Sequence, residues 1–216
     1  TESGLLFSSV ETVVPAIDGT VWVCSQYDGL ARYRNSNVEE IALPDRREPY
    51  TAGLELGANH YIFGTGSDGL VETRDGLIEE VSMGSTSGAL LSNSVTRLEK
   101  DASGGIWVGT LDGVCYRDAD RKWHRWESDS SRPMGQVNGM GISSRGDVWV
   151  AARDGLFHYE NESWEKWPLE PISEGLIGGG VFDVEIDSQE RLWVLTTSGV
   201  SSLSNGQWGE RFDLRN

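Results

Sequence analysis

One short block recurs five times along this chain and limits its possible folds more than any other feature. The copies are DGTVWVCSQYDGLARY from Asp18, ANHYIFGTGSDGLVET from Ala58, GGIWVGTLDGVCYR from Gly104, GDVWVAARDGLFHY from Gly146 and ERLWVLTTSGVSSL from Glu190. Their anchors, Trp22, Ile62, Trp107, Trp149 and Trp193, fall about 40 to 45 residues apart. At a fixed distance before each anchor stand Val10, Tyr50, Val95, Val137 and Val181. Just after it comes Gly29, Gly69, Gly113, Gly155 or Gly199, followed by Leu or Val and, in all copies but the last, preceded by Asp. Two apolar residues close each unit: Val38 and Ile41, Ile78 and Val81, Trp123 and Trp126, Trp164 and Trp167, Trp208 and Phe212.

Each unit reads as four short strands. In the third copy these are SVTRLEKD (94–101), GIWVGT (105–110), GVCYR (113–117) and KWHRW (122–126). Apolar–polar alternation and β-branched or aromatic enrichment support strands, and no segment sustains a helical period. An Asp-Gly pair suits the tight turn between the second and third strands, because it tolerates positive φ. Four strands at this period make the blade of a β-propeller. A Trp repeated on the second strand then packs between neighbouring blades. The expected fold is all-β, a β-propeller of five four-stranded blades in a single domain over 1–216, with repeats near 1–42, 43–83, 84–127, 128–168 and 169–216. GLLFSSV (4–10) matches the lead-in GLIGGGV (175–181), so the chain is expected to start and stop at repeat boundaries. A fragment of a larger propeller is the alternative.

Composition narrows the partners. A hydrophobic fraction of 38% with 9 Trp supplies core material that a disordered chain lacks. No stretch approaches the roughly 18 apolar residues of a membrane span. Eighteen basic against 34 acidic residues give a net charge of -16, which disfavours nucleic acid and anionic membrane surfaces, since both require a basic footprint. The opening TESGLLF lacks the charged and apolar regions of a signal peptide. Cys24 and Cys115 form no paired motif and read as buried small apolar residues, not bonded to each other.

With these residues in place, LLSNSVTRLEKDASGGIWVGTLDGV (90–114) closely resembles the two-component regulator propeller repeat, and GDVWVAARDGL and ERLWVLTTSGV are recognisable copies. The resemblance spans the chain and is weakest in the second repeat, where Ile62 replaces Trp. It implies a β-propeller of the kind found in extracytoplasmic sensor regions of bacterial hybrid histidine kinases, hence a periplasmic or extracellular location. Such blades recognise glycan-related or other small ligands. The same blade type is similar to that of the streptogramin lyases, which are enzymes. The chain carries fewer repeats than those sensors and no kinase segment.

Chemical motifs are sparse. Asp28, Asp68, Asp112 and Asp154 recur with the turn and read as turn residues, and no alternating acidic loop for Ca²⁺ is present. His60, His124 and His158 occupy three different repeat offsets and are not expected to converge. No nucleophile elbow or Ser/His/Asp order stands out, so no catalytic residue, metal ligand or cofactor is expected. Positions that do not repeat are the better guide to a site. The connections 43–52, 128–138 and 170–180 share an end with the turns after the second strands. Together they are expected to set Gln26, Tyr27, Arg46, Arg47, Tyr50, Arg132, Gln136, Asn138 and Arg153 around the mouth of the channel. Arginines there suit carboxylate, sulfate or phosphate groups. The expected function is non-enzymatic, sensor-type recognition of a small polar or saccharide ligand or a protein partner. The alternatives are a lyase or glycan-cleaving enzyme and a structural interaction scaffold.

Overall fold

The structure is a computed structural model that describes residues 9–25, 29–35, 37–41, 49–124, 126, 135–168 and 180–213. Its strands form five four-stranded antiparallel sheets, each built from consecutive strands. Blade 1 holds β1 (Val10–Pro15), β2 (Val21–Ser25), β3 (Leu30–Arg34) and β4 (Asn37–Ile41); blade 2 holds β5 (Tyr50–Gly57), β6 (His60–Thr65), β7 (Leu70–Arg74) and β8 (Leu77–Val81). Blade 3 holds β9 (Val95–Lys100), β10 (Ile106–Thr110), β11 (Gly113–Arg117) and β12 (Trp123–His124). Blade 4 holds β13 (Val137–Ile142), β14 (Val148–Ala152), β15 (Gly155–Glu160) and β16 (Ser163–Trp167). Blade 5 holds β17 (Val181–Ile186), β18 (Leu192–Thr196), β19 (Gly199–Ser204) and β20 (Gln207–Asp213). The expected strands of the third repeat appear within a residue of their places, except that β12 is short. The chain divides into two compact units, Thr1–Leu98 and Glu99–Asn216, with the boundary inside β9.

The second strands β2, β6, β10 and β14 are buried on both faces, while Trp193 and Leu195 of β18 are only half-buried, and the period of two decides which neighbour each residue meets. In β14, Val148, Val150 and Ala152 pack with Trp107 and Val114 of blade 3, while Trp149 and Ala151 pack with Val181, Leu192 and Val194 of blade 5. The first unit repeats this scheme: Trp22 and Cys24 of blade 1 meet Tyr61 and Phe63 of blade 2, with the Trp22 ring 4.9 Å from Tyr61 and 5.3 Å from Phe63. Each of these anchor tryptophans therefore faces the blade that follows it. Full burial of a large apolar side chain contributes roughly 1.5–3 kcal/mol, so these seams hold the blades of each unit together.

Four first strands, β1, β5, β13 and β17, carry a bulge at a shared position. The register shifts between Val10 and Thr12, Tyr50 and Ala52, Val137 and Gly139, and Val181 and Asp183. The extra residue is left out of the ladder, and two of them reach the next blade: Thr51 Oγ1 donates to Val95 O at 2.6 Å, and Asn138 Nδ2 to Val181 O at 2.9 Å. Gly139 permits that approach, since a Cβ there would lie 2.1 Å from Asp183 Oδ1 and 2.8 Å from Val184 N.

Candidate functional site

Gln26, Tyr27, Arg46, Arg47 and Arg132 of the expected mouth lie outside the described residues. Tyr50 is only 1% exposed and packs edge-on against Phe63, 6.1 Å between ring centres, so it belongs to the core of the first unit and lines no mouth. The reason is positional: Tyr50 occupies the offset of Val95, Val137 and Val181, all buried. Gln136, Asn138 and Arg153 do converge. Arg153 N donates to Gln136 O at 2.8 Å, and both side chains are exposed at the Val137–Ala152 end of β13 and β14. Asn138, half-buried beside them, spends its amide on Val181 O.

The turn after the second strand is held by a residue that motif reading passed over. Thr65, Thr110 and Thr196 each donate their hydroxyl to the turn glycine's carbonyl, at 3.0 Å to Gly69, 2.8 Å to Gly113 and 3.2 Å to Gly199. The same oxygens accept from the backbone N–H of Asp68, Asp112 and Ser198. The signal was present in the sequence as a Thr at one offset of three repeats.

At the opposite end of the blades, the turn between first and second strands distinguishes one repeat from the next. Asp101 accepts from Ser103 N and Gly105 N, both at 2.9 Å, and its second oxygen accepts from Tyr116 OH at 2.9 Å. Asp187 accepts from Gln189 N at 2.8 Å and Arg191 N at 3.0 Å, and its second oxygen takes Arg191 Nε and Trp193 Nε1, each at 2.8 Å. The Trp193 indole is the largest of the causes that hold the Asp187 carboxyl well below the usual range. Blade 4 has Ser143 at this offset, and blade 1 has Ala16. The Ser143 hydroxyl accepts from Arg145 N at 3.2 Å and Asp147 N at 3.1 Å, which replaces one carboxylate oxygen but not the other. His158, at the position of Tyr116, keeps a buried Nε2 with no hydrogen-bond partner among the described residues.

A cleft of about 410 Å³ opens there between blades 4 and 5. His158 stacks on Trp149 at 4.1 Å and 17°, and Trp167 meets Trp149 edge-on at 4.9 Å. Arg145 pairs with Asp147 at 2.8 Å, and Glu190 accepts from Ser144 N at 3.1 Å. Burial lowers the His158 pKa from its ordinary value against the opposing pull of nearby carboxylates, which favours the neutral ring. Blade 1, with Ala16, has a similar cleft of about 460 Å³ bordered by Trp22, Tyr61 and Arg32. Over Trp107 of blade 3, where Asp101 is present, Trp126 stacks at 5.6 Å while Tyr159 and Trp164 pack edge-on.

The other two histidines each pair with a carboxylate of their own unit. His60 pairs with Glu72 at 2.6 Å in the first unit, and His124 with Asp118 at 2.7 Å in the second. Both cysteines are buried, and burial pushes the Cys24 thiol up to about 12. Among the described residues, no helix is long and apolar enough to cross a membrane.

Comparison with known proteins agrees with the fold. Residues 89–112 match the family model of the Two component regulator propeller. No curated protein matches the chain. The extracellular domain of BT3049 from B. thetaiotaomicron, assigned to a hybrid two component system, is similar over 97% of this chain at 19% identity, with a TM-score of 0.80. The chain spans 29% of that protein's length. A catalytically inactive virginiamycin B lyase from Staphylococcus aureus with Quinupristin is similar over 96% of this chain and 71% of its own, at 11% identity and a TM-score of 0.72. YCF48 bound to D1 peptide is similar over 97% and 69%, at 13% identity and a TM-score of 0.68. Residues 89–112 are thus a Two component regulator propeller repeat, set in a chain with the β-propeller fold of these structures.

Proposed function

We propose that this chain is a sensor-type β-propeller that recognises a small polar or saccharide ligand, outside the cytoplasm of a bacterium and without turning it over. The observation that carries the reading is the pairing of exposed Gln136 and Arg153 beside Asn138, at positions the other repeats do not share. A guanidinium and an amide at one rim offer five N–H donors in a planar fork together with an amide that both donates and accepts. On a chain of net charge -16 such a rim is a local exception that suits carboxylate, sulfate or hydroxyl groups. The likeness to the extracellular domain of BT3049 supports the sensor role and the location. Recognition of a protein segment at the same rim is the second reading, supported by the likeness to YCF48 bound to D1 peptide.

The test is a thermal-shift and calorimetric screen with neutral and uronic oligosaccharides, sulfate, phosphate and short peptides. One chemical class is expected to raise the midpoint, and Arg153→Ala and Gln136→Ala are expected to weaken that binding. A ligand at 100 times its Kd stabilises by about 2.7 kcal/mol, well within reach of the method. Affinities untouched by both substitutions would remove the rim from the reading, and conversion of a probe to product would replace recognition with catalysis.

A further inference from the structure

The cleft between blades 4 and 5 lies at the far end of β13 and β14 from the Gln136–Arg153 rim, and its chemistry differs from that of the rim. Its volume of about 410 Å³ falls within the roughly 300–1,000 Å³ of small-molecule sites. The repeat accounts for its origin. Where blade 3 turns a carboxylate oxygen onto Tyr116 and blade 5 onto Trp193, Ser143 is one atom too short to reach across. The polar group that loses its partner is Nε2 of His158, on the cleft wall.

Charge selects the occupant. Among the described residues, three carboxylates, Asp147, Glu160 and Glu190, line the cleft against one cation, Arg145, which is already bound to Asp147. An anion entering there would meet net negative charge and lose its water without gaining a free cation. A positive group gains carboxylates as acceptors and the aromatic surfaces of Trp149 and Trp167. Burial disfavours the charged form of the His158 ring, which limits its repulsion of such a group.

We infer that this cleft is a binding site for a small organic cation bearing an ammonium group, held by Asp147, Glu160 and Glu190 against Trp149 and Trp167. The site needs no contribution from the rim.

Calorimetric titration of the whole chain with ethanolamine and putrescine tests it, with glucose and glucuronate as neutral and anionic comparisons. Both ammonium probes are expected to bind at millimolar concentration or below, and the two comparison probes are not expected to bind there. Glu160→Gln combined with Glu190→Gln keeps size and hydrogen-bonding capacity while removing two charges. It is expected to weaken ammonium binding about tenfold or more without lowering the thermal midpoint of the unliganded chain. Arg153→Ala is expected to leave ammonium binding intact, which separates this site from the rim. The inference fails if neither ammonium probe binds, if glucose binds this cleft as well as ethanolamine does, or if the double variant binds with unaltered affinity.

Discussion

Tyr116 and Asp101 show how much one atom decides in this chain. The Tyr116 hydroxyl donates to Asp101 Oδ2 at 2.9 Å, half-buried against the sheet. Tyr116→Phe should therefore lower stability by about 1.5–3 kcal/mol in urea unfolding, the usual net worth of a hydrogen bond to a charged group. Carboxylates at this turn also set the acid response. For Asp101, desolvation pushes the pKa up, but hydrogen bonds from Ser103, Tyr116 and Gly105 together outweigh it and hold the group below 3.8. Asp187 is lowered further, by Trp193 first. A carboxyl whose folded pKa is depressed stabilises fully above its unfolded value and loses that contribution as pH falls through the folded one. Unfolding free energy should thus be flat near neutrality in this respect and drop as pH falls below about 4. Asp187→Asn should make that acid slope shallower. The His158 ring is shifted down by burial, so its NMR titration midpoint should fall below 6.5, in contrast to a solvent-exposed histidine.

At the scale of elements, the turn from second to third strand combines a threonine hydroxyl with a glycine of positive φ. Thr110 is fully buried and makes two bonds there, so Thr110→Val, which keeps the shape, should cost about 1–3 kcal/mol. Gly29 and Gly69 have similar φ of 92° and 87° but different surroundings. A Cβ at Gly69 would lie 2.2 Å from Val81 O, whereas at Gly29 no described residue lies within 4 Å. Gly29→Ala should carry only the backbone strain of roughly 1–2 kcal/mol, and Gly69→Ala clearly more, as compared thermal midpoints would show. Equal losses would mean that the Val81 carbonyl gives way. The bulges were not legible in the sequence, because Glu11, Thr51, Asn138 and Phe182 share no residue type; the backbone register alone defines them.

For the whole molecule, the charge balance matters more than any single ion pair. Exposed pairs such as Arg34–Asp18 or Arg191–Glu210 are each worth little in water. The net charge of -16 is a larger and diffuse repulsion that favours expansion. Salt screens both, with a Debye length of about 8 Å near physiological ionic strength, and the repulsion is the greater loss. The melting midpoint should therefore rise as sodium chloride is added from low concentration. A falling midpoint would show that local pairs outweigh the excess charge.

The repeat by itself determined the blade, because a strand buried on both faces needs apolar residues at consecutive positions, and five copies display that need at one spacing. It also located Gln136, Asn138 and Arg153 at one end, since the offsets of a regular sheet fix which residues share an end. The tertiary structure decided the rest. Tyr50 looked like a rim aromatic until the bulge and the Phe63 contact placed it inside, although its offset, shared with buried valines, already pointed there. The cleft beside His158 was invisible for a different reason. Its cause is the second oxygen that Ser143 lacks, and a missing atom acquires meaning only once the sheets bring Tyr116, Trp193 and His158 against equivalent turns.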